Sequence, residues 1–240
     1  MNDVSPAPRQ NHLLAALPHE QWERWRQHLE YVEMQLGEVL YEPGTTLTHA
    51  YFPITAIVSL LYVMKNGESA EIAIVGSEGM VGVSLFMGGD STSSRALIQS
   101  AGGAYRLNAQ LMKQEFNRGG PVLHLFLRYT QALMTQMVQT AACNKHHSLD
   151  QQLCRWLLLS LDRLQGTDMQ MTQKLIAHML GVTLERATEA ALKLRDVGLI
   201  DYADGWIKVL DRSSLEKRSC ECYKVVKQEY DRLLPLPLAA

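Results

Sequence analysis

The segment from Thr172 to Leu194 constrains this chain more than any other stretch. Two short helices meeting at a steep angle need a small residue where they touch, and Ala177 supplies it. Four residues on, the tight turn favours glycine, because positive φ costs glycine nothing, and Gly181 stands there. The second helix needs inward apolar residues at spacings of three and four, and Ala187, Ala190, Ala191 and Leu194 meet that need. Leu175, Ile176 and Met179 give the first helix its inner face, and Thr172 and Thr183 are suitable N-caps. Gly198-Leu199-Ile200 then leads to two short strands around Asp204-Gly205, a hairpin signal. A helix-turn-helix followed directly by a hairpin is a winged helix. Its second helix suits a major groove and its hairpin the adjoining backbone. On that geometry Thr172, Lys174, Thr183, Leu184, Glu185, Arg186, Glu189, Lys193 and Lys208 are the candidate contacts to double-stranded DNA.

The remaining chain is long enough for a second domain, since 240 residues exceed the usual size of one. Residues 13–30 show helical spacing through Leu13, Leu14, Leu17, Trp22, Trp25 and Leu29, broken at Pro18. Short strands follow: Val39-Leu40-Tyr41, Tyr51-Phe52-Pro53, Ala56 to Met64, Ala70 to Val75, Ala96 to Ser100 and Gly103 to Leu107. Glu42-Pro43-Gly44 and Asn66-Gly67 mark turns, the second a hairpin in which both residues tolerate positive φ. Short strands divided by glycine turns predict a small antiparallel barrel or roll.

Helical period returns after Asn108. The run Pro121 to Ala142 has proline at a plausible helix start and no internal Gly or Pro. Val122, Phe126, Tyr129 and Leu133 form one apolar stripe. Leu123, Leu127, Thr130, Met134, Met137 and Ala141 form another, close to heptad spacing. The first stripe can cover the roll and the second can meet a copy of itself; one unusually buried core helix is the alternative. A further helix runs from about Leu149 to Leu164 and ends at Gln165-Gly166, with residues 167–171 as a connector.

Charge is nearly balanced, at −2 overall, and residues 148–240 hold 13 basic and 13 acidic residues. No apolar run approaches the roughly 18 to 20 residues of a membrane span, and no secretory leader precedes the first helix, so a cytoplasmic protein without a membrane partner is expected. Four scattered cysteines, Cys143, Cys154, Cys220 and Cys222, do not make a disulfide framework. Cys143, His146, His147 and Cys154 do not match the spacing of a zinc finger or ribbon, so no metal site is read from them. The Cys220-x-Cys222 pair reads as plain thiols, with a redox or metal site as the alternative. His49 and His124 are single histidines on separate elements, too little for a haem site. The Ser91-Thr92-Ser93-Ser94 run reads as a solvated loop, and neither a nucleophile elbow nor a Walker loop is present, so no enzyme is expected.

Three stretches give this chain a family resemblance. They are Leu36-Gly37-Glu38-Val39-Leu40-Tyr41-Glu42-Pro43-Gly44, the glycine-punctuated loop ending at Arg95, and Thr172 through Gly181-Val182-Thr183 to Gly198-Leu199-Ile200. From about Leu13 to Asp211 the chain resembles the Crp/Fnr, or cAMP-receptor-like, regulators. The resemblance implies an α+β protein with a cyclic-nucleotide-binding-like β-roll, a long dimerisation helix and a C-terminal winged helix. It also implies transcriptional regulation as a homodimer, with RNA polymerase as a further partner. The corresponding divisions are a disordered tail over 1–12, a sensory roll over 13–120, a dimer helix and hinge over 121–146, a DNA-binding domain over 147–212 and a helical extension over 213–240.

Two departures sharpen the expectation. Where nucleotide-binding members of that family carry a Gly-Glu pair and an Arg-Ser or Arg-Thr pair, this chain has Gly82-Val83 and Arg95-Ala96. Val83 cannot accept from a ribose hydroxyl and Ala96 has no hydroxyl to donate, which argues against cAMP and leaves the effector unknown. The N-terminus lacks the cysteines of iron–sulfur members, so no cluster is expected. Leu184 and Glu189 stand where the family places arginine, predicting an altered target sequence or a ligand- or protein-binding module that has lost specific DNA binding.

Overall fold

The computed structural model describes residues 5–164, 166–203 and 205–234. Asn11 anchors the N-terminal end. Its Oδ1 accepts from the amides of Leu13 and Leu14, and its Nδ2 donates to the carbonyls of Pro53 (3.0 Å) and Gly79 (2.8 Å). The expected disordered tail is therefore corrected from Pro8 onward: Pro8–Gln10 form a 3-10 turn and Asn11 is fully buried. Residues 1–4 lie outside the described residues.

Two short helices follow, α1 (His12–Ala15) and α2 (His19–Trp25). The helix expected to reach residue 30 stops earlier. After a 3-10 turn at Arg26–His28, Glu30–Met34 is strand β1. Its pattern alone is ambiguous; pairing decides it, because β1 lies antiparallel to the strand Gly102–Asn108 with Tyr31 opposite Tyr105. Gly103 permits this, since a Cβ there would lie 2.3 Å from the Tyr31 hydroxyl.

The other strands are β2 (Val39–Tyr41), β3 (His49–Pro53), β4 (Ile57–Val63), β5 (Ser69–Val75), β6 (Ser94–Ser100) and β7 (Gly102–Asn108). They form two antiparallel sheets, ordered β1-β7-β3 and β2-β6-β4-β5. The β4–β5 hairpin departs from expectation in detail. Only Gly67 has positive φ (+87°), and its amide donates to Met64 O while Met64 N donates to Glu68 O. That is a type I turn closed by a glycine bulge, the three-residue solution rather than the two-residue one.

Helix α3 (Ala109–Arg118) leads to α4 (Pro121–His146). The first predicted stripe of α4 packs on the roll: Val122, Phe126, Tyr129 and Leu133 are all buried. Phe126 sits among Trp25, Phe52 and Phe86 with ring centroids 5.6 to 6.5 Å away. Gln136 of α4 closes the open edge of β5, accepting from Ile74 N (2.9 Å) and donating to Ile74 O (3.1 Å). The second stripe divides. Leu127 and Met134 are exposed, as is the neighbouring Val138, whereas Thr130 is buried.

Helix α5 (Leu149–Leu161) opens with a capping box between Ser148 and Gln151. It ends short of the expected Leu164, and Gln165 lies outside the described residues. Residues 167–171 are more than a connector: Asp168–Gln170 form β8, which pairs with β10. The C-terminal part then runs α6 (Gln173–Leu180), α7 (Leu184–Asp196), β9 (Ile200–Ala203), β10 (Trp206–Val209), α8 (Arg212–Arg218) and α9 (Glu221–Leu233). Helix α9 runs antiparallel to α4: Cys220 meets Cys143 near its start, and Tyr230 meets Gln136 near its end. Among the described residues no helix is long and apolar enough to cross a membrane.

Candidate nucleic-acid interface and ligand cavity

The motif residues do locally what their chemistry requires. Thr172 caps α6 by accepting from Leu175 N, and Thr183 caps α7 by accepting from Arg186 N. Gly181 has φ +62°, and its amide donates into the last turn of α6. Ala187, Ala190, Ala191 and Leu194 are at most 3% exposed, so one face of α7 is wholly inward. Strands β9 and β10 pair with Ala203 opposite Trp206, and with β8 they make a three-stranded wing. The hairpin's Asp204 lies outside the described residues.

The opposite face of α7 carries the candidate DNA contacts. Leu184, Glu185, Arg186, Glu189 and Lys193 are exposed there, as are Lys174 on α6 and Lys208 on β10. Two of these groups are already engaged. Glu185 has its carboxyl held below the usual range, first by a backbone amide at its own position and then by Thr183. Glu189 lies 2.8 Å from Lys193, and this pair lowers the carboxyl and raises the amine. The net positive potential along the helix is therefore small. Trp206 at the wing is half exposed, an interface candidate that sequence reasoning passed over. Its signal was alternation: Ile207 and Val209 point inward, so Trp206 and Lys208 point outward.

The start of α7 lies beside the roll. Gly181, Val182, Thr183 and Arg186 line a cleft of about 860 Å³ whose other wall is the β4–β5 hairpin, from Tyr62 to Ala70. Gly181 stands against Ala70, and the Ser59 hydroxyl lies 3.2 Å from Met179 Sδ.

The predicted effector residues separate in space. A cavity of about 410 Å³ lies between the roll and α4, lined by Tyr41, Leu60, Met80, Gly82, Val83, Ser84, Met87, Gly89, Thr92 and Ser94, with Thr130, Leu133, Met134 and Met137 from α4. Gly82 and Val83 are thus at the cavity. Arg95 and Ala96 are not among its lining residues. Strand alternation explains Arg95: Ser94 faces in, so Arg95 faces out, where its Nε donates to Glu42 at 2.8 Å. Among the described residues no cationic side chain lines the cavity. The four α4 residues escaped sequence reasoning because only tertiary packing brings that helix over the cavity.

The thiols also regroup. Cys143, His147, Cys220 and Cys222 converge at the junction of α4 and α9, while Cys154 is buried separately and His146 is exposed. His49 Nδ1 shares a hydrogen bond with the hydroxyl of its neighbour Thr48, and its ring lies tilted beside Tyr51.

A winged helix-turn-helix behind a β-roll and a long helix defines a DNA-binding transcriptional regulator. Residues 151–218 match the Crp-like helix-turn-helix domain. The whole fold is shared with solved Crp/Fnr regulators. A putative transcriptional regulator of the Crp/Fnr family from Eubacterium rectale superposes with a TM-score of 0.67 at 16% identity, over 85% of this chain and 96% of that one. FixK2 from Bradyrhizobium japonicum gives 0.67 at 16% identity, over 80% and 98%. The c-di-GMP responsive global regulator CLP from Xanthomonas campestris gives 0.60 at 16% identity, over 81% and 100%. No curated protein matches the sequence. The chain thus carries a Crp-like helix-turn-helix domain within the overall fold of the solved Crp/Fnr regulators.

Proposed function

We propose that the protein acts as a homodimer joined along α4, and that a small uncharged ligand in the roll cavity governs its binding to DNA. The observation that carries this is the double role of α4. Thr130, Leu133 and Met137 roof the cavity, while Leu127, Met134 and Val138 leave an apolar stripe in solvent on the same helix. Met134 belongs to both sets, so a ligand below it and a partner helix above it share one side chain. A ligand that favours one arrangement of α4 shifts the equilibrium by its differential affinity and no more. The cavity volume falls within the range of small-molecule sites. Its apolar lining and the outward Arg95 favour an uncharged ligand over a cyclic nucleotide, whose phosphate would find no counter-charge.

On the DNA side, Thr172, Lys174, Thr183, Leu184, Glu185, Arg186, Glu189, Lys193 and Lys208 are the proposed contact set, with Trp206 added. Gly181, Val182, Thr183 and Arg186 share a cleft with the β4–β5 hairpin and Gly181 stands against Ala70, which supports a movement of the winged helix away from the roll on DNA binding. A mobility-shift assay with a random duplex library, run with and without a panel of small uncharged ligands, tests the reading. The expected result is a selected site, distinct from the usual family half-site and bound more tightly with one of the ligands. A second reading, a module without specific DNA affinity, draws on the balanced charge of residues 148–240 and the Glu189–Lys193 pair. No selected sequence under any condition would establish that reading instead.

A further inference from the structure

We infer that Cys143, His147, Cys220 and Cys222 form a closed tetrahedral binding site for one zinc ion. The four come from two places far apart in the chain. Cys143 lies in the last turn of α4, and His147 is the residue that caps that helix, its amide donating to Cys143 O at 3.0 Å. Cys220 is the N-cap of α9 and Cys222 stands in its first turn. One donor atom from each residue lies within 4.8 Å of all the others.

Two of the spacings match those of a tetrahedral zinc site. Zinc–sulfur bonds of about 2.3 Å and zinc–nitrogen bonds of about 2.0 Å in a tetrahedron place donor atoms about 3.5 to 3.8 Å apart. Cys143 Sγ and Cys220 Sγ are 3.5 Å apart, and Cys222 Sγ and His147 Nδ1 are 3.6 Å apart. A disulfide would account for two sulfurs and leave a third cysteine and an imidazole unexplained. Plain packing of buried thiols, as at Cys154, does not account for four metal-ligating groups meeting at one point.

The surroundings are those of a ligated imidazole and a charged centre. Glu221 Oε2 lies 3.4 Å from His147 Nε2 and favours the tautomer that keeps its proton on Nε2, which leaves Nδ1 to the metal. Gln152 holds the turn by donating to His147 O at 2.9 Å. Three thiolates, a neutral imidazole and a dication sum to one negative charge. Arg155, only 3% exposed, donates from Nη1 to Thr140 Oγ1 at 3.1 Å, three residues before Cys143, and brings a buried positive charge to this end of α4. The three cysteines are buried and His147 is half-buried, which leaves no open coordination position and marks the site as structural. Its place gives it a consequence. The ion would clamp α9 to the end of α4, where the chain turns into the winged helix.

The test starts with the full-length chain, expressed with zinc, purified under reducing conditions without chelator, and assayed by mass spectrometry for metal. The expected result is one zinc per chain. Stripped wild-type protein should take up cobalt(II) with the thiolate charge-transfer and intense visible bands of a tetrahedral site, and zinc should raise its Tm. Cys220→Ser and Cys222→Ser should lose those bands, and Cys154→Ala should keep them. Titrating the stripped wild type keeps the test decisive where a variant fails to fold. The inference is overturned if wild-type protein carries no metal and binds no cobalt, or carries iron, or holds a Cys143–Cys220 disulfide under anaerobic conditions. Retention of the cobalt spectrum by both serine variants would also overturn it.

Discussion

Replacing Glu71 by glutamine should remove a pH dependence that the wild-type fold carries. Glu71 lies on β5 beneath α6, 6% exposed. Its carboxyl is pushed up to about 7, chiefly because burial disfavours the charged form. The hydrogen bonding agrees. Glu71 Oε2 and Gln99 Oε1 lie 2.6 and 2.8 Å from the Ser59 hydroxyl, which has one proton for two acceptors. A protonated Glu71 supplies the second proton by donating to Ser59. Because the folded value exceeds the unfolded one, the folded state binds more protons between pH 4.5 and 7. Stability is therefore fully present below the unfolded value and is lost as pH rises through the folded one. A shift of about 2.5 units corresponds to about 3 kcal/mol at 1.36 kcal/mol per unit. In Glu71→Gln the amide donates to Ser59 at every pH and mimics the protonated acid. Urea unfolding followed by tryptophan fluorescence at about pH 4.5 and about pH 8 measures the effect. The two proteins should be of similar stability at the lower pH, with wild type about 3 kcal/mol the less stable at the higher. Parallel pH profiles for the two proteins would refute the assignment of a neutral buried carboxyl.

Three other outcomes follow from the same structure. Gly79→Ala would place a methyl 2.5 Å from the Tyr129 ring, which is locked by its hydroxyl donating to Met80 O. It should cost about 1 to 3 kcal/mol in the same urea assay, as overpacking does. The pair Met134→Glu and Val138→Glu, at side chains 57% and 63% exposed, should leave the fold intact and convert dimer to monomer by light scattering. An unchanged mass would remove α4 as the interface. Glu189→Gln frees Lys193 from its 2.8 Å partner. DNA affinity should rise, with a salt dependence steeper by about one counterion; weaker binding would mean that Glu189 contacts a base.

What the sequence alone determined is what local physics determines. Ala177, Gly181, Thr172 and Thr183 specify the turn and caps of a helix-turn-helix whatever lies around them. The glycine-divided strands and the proline start of α4 likewise specify elements by backbone preference. Local signals failed where a distant partner chose the state. Residues Glu30–Met34 became a strand because β7 was there to pair, and Asp168–Gln170 because β10 was. The site divides in the same way. The outward face of α7 is legible from helical period, since the inward alanines fix it. Arg95 was misplaced because adjacency in sequence does not reveal on which side of a strand a cavity lies. The meeting of Cys143 and His147 with Cys220 and Cys222 was illegible for a stronger reason. More than seventy residues separate the two pairs, and only the antiparallel packing of α9 on α4 brings them to one point.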